Sequence, residues 1–315
     1  MKPIHLLRAS LHVLIAVFSV GALAAQSAAP PPDPIVKEGV TRKIGEHTYV
    51  IMDDNVPLVP NVGIIVGSNA TLVIDPGLGR RSGEAVLREV AKVSRNAQVY
   101  LATTHFHPEH TTGYIAFPAS AKYVNSKVQE AEWVANGMTM TQMFARRSPA
   151  TAEILKDATG RPADITFDRD YTLDLGGVTV RMLAVGPTHT KGDIGIFIEQ
   201  DRVLFSGDVV MSQSFLAAGA DASMRAWMAA FDAFDAWKPI IVIPAHGGSG
   251  DGTLIPANRE VMAEIRASAQ RLKQQGQGVE AVMKTVTDEM TARHPGWPRA
   301  NGIGNAARGA FNEAP

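Results

Sequence analysis

The sequence predicts an α/β protein in which helices pack on two β-sheets. In each half of the chain, short β-branched runs lead into a helix with one apolar face. Polar loops that contain histidine follow several of these runs, and α/β folds commonly place their binding sites in such loops.

The first half opens with three β-branched runs at 49–51, 62–66 and 71–74, separated by turn residues. This spacing predicts an antiparallel meander. Residues 82–93 then repeat apolar side chains at helical spacing with charges between them, which predicts a helix with one buried face. A further strand is predicted over 98–102, directly before a histidine-rich loop.

The second half continues the alternation. A helical pattern covers 127–160. Strands are predicted at 166–175, 178–185, 194–198, 203–205 and 240–244, and helices at 222–237, 258–274 and 278–293. We expect residues 36–315 to form one domain, with a helical insert at about 127–160 and C-terminal helices at about 258–293.

Composition excludes several classes of function. The chain of 315 residues carries 30 Lys+Arg against 31 Asp+Glu, so its formal net charge of −1 gives no reason to bind nucleic acid. It contains no cysteine, which excludes disulfides, thiolate metal ligands and cysteine nucleophiles. We expect a small-molecule substrate, and the sequence specifies no oligomeric state.

Residues 1–24 have the pattern of a secretory signal peptide, in which basic residues precede an apolar stretch that ends in small residues. The alternative is a membrane anchor, but the apolar stretch at 13–25 is shorter than the roughly 20 residues that a spanning helix needs. A Pro-rich linker at 25–35 follows. We expect cleavage near Ala24, no stable membrane anchor afterwards, and a periplasmic or secreted protein.

Five histidines lie at the end of a predicted strand or in the loop after it: His105, His107, His110, His189 and His246. A single loop histidine is usually structural or solvated, but three within six residues indicate a metal site. In an extended segment His105 and His107 point to the same side, so both can bind one ion. Pro108 starts a turn that lets Glu109 and His110 face a second position.

Later loops supply further ligands, because a tetrahedral catalytic site takes three protein groups and keeps one position open. His189 follows a strand, Asp208 follows Gly207 at another strand end, and His246 follows the last predicted strand. Imidazole and carboxylate ligands suit Zn, Mn or Fe.

The ordered pattern of these residues resembles the metallo-β-lactamase superfamily. It runs His105-x-His107-x-Glu109-His110, His189, Asp208 and His246, after the strand end Ile74-Asp75-Pro76-Gly77. The resemblance covers about 36–250 and implies an αββα sandwich of two mixed sheets flanked by helices. It also implies that His105, His107 and His189 bind a first metal, that Glu109, His110 and His246 bind a second, and that Asp208 bridges them.

Three positions can be compared with the family's usual residues. The family usually has Asp where this chain has Glu109, and the added methylene moves the carboxylate by about 1.5 Å. Asp208 at the bridging position is similar to the glyoxalase II and lactonase-like branches, whereas the best-known β-lactamase class has cysteine there. The family's counterpart of Asp75 orients a ligand imidazole, although a turn residue alone would also explain Asp75.

These residues predict a metallo-hydrolase with two divalent ions, zinc first and Mn or Fe as alternatives. A hydroxide activated by both ions would attack an ester, thioester, lactone or amide carbonyl, with Asp208 and Glu109 as catalytic carboxylates. The expected substrate-contacting residues lie in the helical insert: Trp133, Met138, Met140 and Met143. The alternatives are a β-lactamase, a mononuclear-iron oxidoreductase similar to persulfide dioxygenases, and a metal-binding protein without catalysis.

Overall fold

Two β-sheets pack face to face in the computed structural model, which describes residues 32–313. The first sheet has the order β1-β2-β3-β4-β5-β6-β7. Its strands are β1 (Arg42–Lys43), β2 (Thr48–Ile51), β3 (Val62–Val66), β4 (Ala70–Ile74), β5 (Gln98–Ala102), β6 (Lys122–Ser126) and β7 (Ile165–Phe167). Strands β2 to β4 form the predicted antiparallel meander, β1 pairs antiparallel with β2, and β4 to β7 are parallel.

The second sheet has the order β12-β11-β10-β9-β8. Its strands are β8 (Asp170–Asp174), β9 (Thr179–Ala184), β10 (Ile194–Ile198), β11 (Val203–Gly207) and β12 (Ile241–Pro244). Strands β8 to β11 are antiparallel, and β11 and β12 are parallel, so these last two strands end at the same edge.

Helices cover the outer face of each sheet. The helices are α1 (Gly79–Val93), α2 (Pro108–Thr111), α3 (Lys127–Glu132), α4 (Met138–Ala145), α5 (Pro149–Ile154), α6 (Met224–Ala236), α7 (Leu254–Gln274), α8 (Val279–Arg293) and α9 (Asn301–Glu313). A 3₁₀ turn spans Thr112–Ala116, and a π-helical turn spans Trp133–Gly137.

Strand alternation explains the layering. On β4, Leu72 and Ile74 pack between the two sheets, whereas Val73 points outward into the cluster that includes Val86 and Val90 of α1. On the other side, Trp227 of α6 belongs to the cluster that covers the second sheet, together with residues of α7, α8 and α9. The predicted αββα sandwich is confirmed.

The structure differs from the sequence predictions in several places. The single strand predicted at 166–175 is wrong: β7 and β8 belong to different sheets, because the chain crosses between them at 168–169. The helical pattern at 127–160 divides into α3, the π-helical turn, α4 and α5, and Ser126 and Ser148 cap the starts of α3 and α5. The short strand β1, strand β6 and helix α9 were not predicted from the sequence.

The predicted signal peptide at 1–24 and most of the linker at 25–35 lie outside the described residues. Within 32–313, the helices are all too short or too polar to cross a lipid bilayer.

Candidate metal centre

Three imidazoles converge on one point at the edge of the sandwich. His105 Nε2 lies 3.1 Å from His107 Nδ1, and His189 Nε2 lies 3.2 Å from the same atom. A zinc ion with Zn–N bonds of 2.0–2.1 Å in tetrahedral geometry separates its nitrogen ligands by about 3.3 Å. The three nitrogens therefore have the spacing of ligands around a single ion.

A second group of three ligands lies next to the first. Oxygen and nitrogen atoms of Glu109, His110 and His246 lie within 4.8 Å of one another, as do the ligand atoms of the first group. The His110 and His246 rings are 5.2 Å apart. The longer side chain of Glu109 thus still brings a carboxylate oxygen to the second group.

Unpartnered polar atoms mark the space between these residues. Glu109 Oε2, His110 Nε2 and Asp208 Oδ1 are buried, and no hydrogen-bonding partner for them lies within residues 32–313. Burying such atoms without a partner costs about 1–3 kcal/mol each, and more when they are charged. A divalent cation would satisfy all three, so the donor set fits the metal ions that the sequence predicts.

The far nitrogens of three rings are held by oxygen atoms of the protein. His189 Nδ1 lies 2.5 Å from the Ala217 carbonyl, His246 Nδ1 lies 2.8 Å from the Val59 carbonyl, and His110 Nδ1 lies 3.0 Å from Asp75 Oδ2. An oxygen partner at Nδ1 selects the tautomer that leaves Nε2 unprotonated. In each ring Nε2 is therefore the nitrogen that is available to a metal ion.

Asp75 connects the end of β4 to the histidine loop. It adopts a positive φ of 54° and is almost completely buried. Its Oδ1 accepts from the Thr104 backbone N–H at 2.7 Å, and its Oδ2 accepts from the Thr104 hydroxyl at 2.8 Å and contacts His110 Nδ1. Asp75 is therefore placed to orient a ligand imidazole, as the family resemblance implies.

Hydrogen bonds between the sheets bring the loops together. The Thr104 carbonyl, before His105, accepts from Ile194 N–H at 2.8 Å on β10. The Ala245 carbonyl, before His246, accepts from Asn61 N–H at 2.7 Å next to β3. These bonds join loops from distant parts of the chain at one edge.

Burial sets the charge of the ligands. Burial lowers the pKa of His105, His107 and His246, and neighbouring imidazoles lower it further. These rings are consequently neutral near pH 7, as metal ligands must be. Burial also acts to lower the pKa of His110, but the carboxylate of Asp75 outweighs it and raises that pKa to about 9.

Asp208 lies at the end of β11, with Oδ2 3.6 Å from His189 Nε2. The same oxygen accepts a hydrogen bond from Arg299 Nη1 at 2.9 Å. Burial acts to raise the pKa of Asp208, but the positive charge of Arg299 and the nearby imidazoles keep it well below its usual range. Asp208 is therefore ionised, which suits the bridging role expected for it.

A cleft of about 330 Å³ opens over the first group of histidines. His107 and His189 line it, together with Met140, Met143 and Lys191. Lys191 forms an ion pair of 2.9 Å with Asp221, which also lines the cleft.

Two of the four expected substrate-contacting residues are not part of this cleft. The Trp133 indole is buried in the core and packs edge-on against Tyr114, with ring centroids 5.9 Å apart. Met138 is on the surface, with 42% of its area exposed, and does not line the cleft. Met140 and Met143 do line the cleft, together with Asn136 and Thr139, from which they are spaced three or four residues apart on one helix face.

A family model for the metallo-beta-lactamase superfamily matches residues 55–246, which is more than half of the chain. The chain belongs to the metallo-beta-lactamase superfamily. The match runs through all seven predicted ligands and ends before α7. The predictions of this superfamily and of an enzyme within it are confirmed.

Two curated relatives in the superfamily are hydrolases by name. Acyl-coenzyme A thioesterase MBLAC2 of Homo sapiens is 27% identical over 173 residues, covering 50% of this chain and 60% of that protein. The linear primary-alkylsulfatase of Pseudomonas sp. (strain ATCC 19151) is 23% identical over 216 residues, covering 58% of this chain and 40% of that protein. The chain thus spans about half the length of these relatives.

Solved structures of the superfamily show the same fold. The sec-alkylsulfatase Pisa1 from Pseudomonas sp. has a TM-score of 0.64 at 15% identity, over 86% of this chain and 49% of that one. A metallo-beta-lactamase from Pontibacter korlensis has a TM-score of 0.55 at 20% identity, over 69% of this chain and 94% of that one.

Several residues that support this candidate metal centre were not predicted from the sequence. Asp53 Oδ2 accepts from Gly247 N–H at 2.8 Å, and the Asn61 amide donates to the Gly247 carbonyl at 2.8 Å, so both fix the loop of His246. Asp53 lies just after β2 and Asn61 just before β3, so both could have been identified as polar residues at the ends of strands. Arg299 gave none, because it precedes the unpredicted helix α9, 91 residues after Asp208.

Proposed function

We propose that the chain is a metal-dependent hydrolase that holds two divalent ions, zinc by preference, and cleaves esters or thioesters. The observation that carries this proposal is the pair of three-residue ligand groups with unpartnered Asp208 Oδ1 beside them. Ions bound there would lower the pKa of a water molecule to near 7 and polarise the carbonyl of the substrate.

The residues of the chain supply position and charge for this reaction. Burial holds His105, His107 and His246 neutral. Carbonyl oxygens at Nδ1 aim the rings of His189 and His246. We assign Asp208 to bridge the two positions and Glu109 to complete the second one, and both carboxylates would neutralise part of the positive charge. Preorganised ligands of this kind need little rearrangement during reaction, which lowers the barrier.

The lining and the volume of the cleft favour an acyl substrate of moderate length. Met140 and Met143 offer an adaptable apolar wall beside His107 and His189, and a cavity of about 330 Å³ lies at the small end of ligand pockets. The thioesterase relative favours a thioester among the carbonyl substrates. We therefore rank acyl thioesters and esters above lactones and amides.

A second candidate function is hydrolysis of an alkyl sulfate ester. Its support is the alkylsulfatase among the relatives and the likeness to a sec-alkylsulfatase over 86% of this chain. The apolar wall would contact the alkyl chain in either reaction, so product analysis has to separate the two functions. Release of inorganic sulfate from an alkyl sulfate identifies the second.

The test of the proposal is a substrate panel on protein loaded with zinc, manganese or iron. The panel contains nitrophenyl esters and acyl thioesters of two to twelve carbons, lactones, amides, alkyl sulfates and nitrocefin. We expect chelator-sensitive hydrolysis of esters and thioesters. Nitrocefin turnover would favour a β-lactamase, and oxygen uptake by an iron form would favour the oxidoreductase. No turnover at full metal loading would refute the hydrolase.

A charged substitution in the cleft wall tests the substrate class. Met143→Glu is expected to raise KM several-fold for long acyl chains and to leave short chains nearly unchanged, because a carboxylate in the wall disfavours alkyl contact. Ile240→Glu is the matched control: Ile240 is 52% exposed and Met143 is 50% exposed, but Ile240 is not part of the cleft. If Met143→Glu changed KM by the same factor for every chain length, Met143 would not contact the acyl chain.

We also propose that the protein is exported through cleavage near Ala24. The support is the sequence pattern of residues 1–24. N-terminal sequencing of protein from the periplasmic or secreted fraction tests this. We expect a mature chain that begins close to position 25, and an uncleaved chain retained inside the cell would contradict the proposal.

A further inference from the structure

Arg299 reaches the metal centre from the C-terminal helices. It lies in the connection between α8 and α9, and α9 packs on both α7 and α8. The family match ends at residue 246, so Arg299 comes from a part of the chain outside it. Its φ of 65° is a conformation that residues other than glycine seldom adopt, and such backbone positions often occur at functional sites.

The Arg299 guanidinium has more donors than its protein contacts use. Nη1 donates to Asp208 Oδ2 at 2.9 Å and contacts the Met211 sulfur at 3.9 Å. In the described part of the chain, Nε and Nη2 have no hydrogen-bonding acceptor, and 27% of the side chain is exposed. Asp208 thus fixes one edge of the guanidinium, and Nε and Nη2 of this partly exposed side chain are left without an acceptor in residues 32–313.

The charge around Arg299 also favours an anion. The ligand set contains two carboxylates, Glu109 and Asp208, and Arg299 offsets one of them. Two divalent ions bound in this centre would outweigh the two carboxylates and leave it with a net positive charge. A planar guanidinium with spare N–H groups pairs well with carboxylate, sulfate or phosphate oxygens.

We propose that Arg299 forms an oxyanion subsite that binds a carboxylate, sulfate or phosphate group carried by the substrate near the bond that is cleaved. This rests on the proposed hydrolase function and narrows its substrate class to anionic molecules. The Asp208 contact holds the guanidinium in place, and Nε and Nη2 bind the substrate.

The test measures binding of inorganic sulfate and inorganic phosphate to the metal-loaded full chain by calorimetry. The variants are Arg299→Gln, Arg299→Lys and the control Arg293→Gln. Arg293 lies on α8 and pairs with Glu264 at 2.7 Å, so its substitution removes the same charge from a site on the helices. Metal content is measured for every variant by inductively coupled plasma mass spectrometry.

We expect Arg299→Gln to weaken anion binding about tenfold or more, because charge-assisted hydrogen bonds are lost. Arg299→Lys keeps the charge and should lose less, and Arg293→Gln should bind as the wild type does. A matched pair of neutral and carboxylated nitrophenyl esters gives a second readout. Arg299→Gln should raise KM for the carboxylated ester alone.

Two results would overturn the oxyanion subsite. Equal anion affinity in wild type and Arg299→Gln would show that Arg299 binds no substrate anion. Loss of anion binding in proportion to loss of metal in both Arg299 variants would show that Arg299 acts only by holding Asp208. A chain that binds sulfate through Arg299 but hydrolyses nothing in the panel would refute the proposed function and leave the subsite intact.

Discussion

The substitution Asp75→Asn tests how the protein prepares the second metal position. Asp75 is 1% exposed and accepts three hydrogen bonds at 2.7–3.0 Å, one of which comes from His110 Nδ1. Asparagine keeps one acceptor oxygen and introduces an NH₂ group. If that NH₂ faces His110, it forces the proton onto Nε2, which is the nitrogen that should bind metal.

The expected effect on metal binding follows from this tautomer change. Loss of a group that orients a ligand histidine typically costs 10–100-fold in metal affinity, which corresponds to about 1.4–2.8 kcal/mol. If the NH₂ instead faces the Thr104 N–H, a buried donor loses its acceptor, at a cost of about 1–3 kcal/mol in folding free energy. The first orientation therefore weakens metal binding, and the second weakens the fold around the histidine loop.

Asp201→Asn is the matched control for this experiment. Asp201 is also buried and accepts from two backbone N–H groups, of Glu46 and His47, and from the hydroxyl of Thr48, at 2.6–2.9 Å. It contacts no ligand residue. We expect both variants to lose stability in denaturant unfolding, but only Asp75→Asn to lose the second metal in calorimetric titration. Unchanged metal affinity and stoichiometry in Asp75→Asn would refute the reasoning.

Three further predictions address the first metal position, the altered ligand and pH. His189→Ala should lower metal content and activity together. Full activity with one ion fewer would contradict the assignment of His189 as a ligand of the first ion. Glu109→Asp should tighten or reposition the second ion; identical stoichiometry, affinity and rate would show that Glu109 is no ligand. Burial acts to raise the pKa of Glu89, but Lys92, Thr41 and the Gly39 N–H outweigh it and lower that pKa. Its contribution to stability is therefore present above about pH 4.5 and lost as the pH falls through the folded-state pKa. Acid unfolding should be less steep in Glu89→Gln, and identical profiles would refute this.

The convergence of the expected ligand residues was predictable because their signal is local. His105, His107 and His110 follow one strand within six residues, and His189 and His246 each follow a strand of their own. Strands of a sandwich end at shared edges, so residues that are distant in sequence meet there. The strand boundaries at 62–66 and 98–102 were also predicted to the residue, because β-branched runs flanked by turn residues leave few alternatives.

Helix α9 was not predictable because packing, and not propensity, stabilises it. Gly302 and Gly309 lie on this helix, and glycine disfavours helices in isolation. A Cβ atom at Gly302 would lie 2.5 Å from the Leu216 carbonyl oxygen, and one at Gly309 would lie 2.9 Å from the Ala222 carbonyl oxygen. The glycines therefore allow α9 to approach the loop after β11, and only the folded structure shows that contact.

Trp133 illustrates the opposite error. A large aromatic side chain in a helical insert next to methionines was expected to face substrate, but Gly137 and Gly160 make room for its indole inside the core. The sequence cannot show which face of the insert is buried when three methionines lie on different sides of one helix. Met140 and Met143 nevertheless line the cleft, and Met140 also packs against the core cluster that contains Trp133.

Anomalous diffraction at the zinc absorption edge, from crystals of the zinc-loaded protein, tests the central claim most directly. The account predicts two peaks about 3.5–4 Å apart, one bounded by His105, His107 and His189 and the other by Glu109, His110 and His246, with Asp208 between them. Full zinc loading with one peak, or with a peak away from these residues, would contradict it.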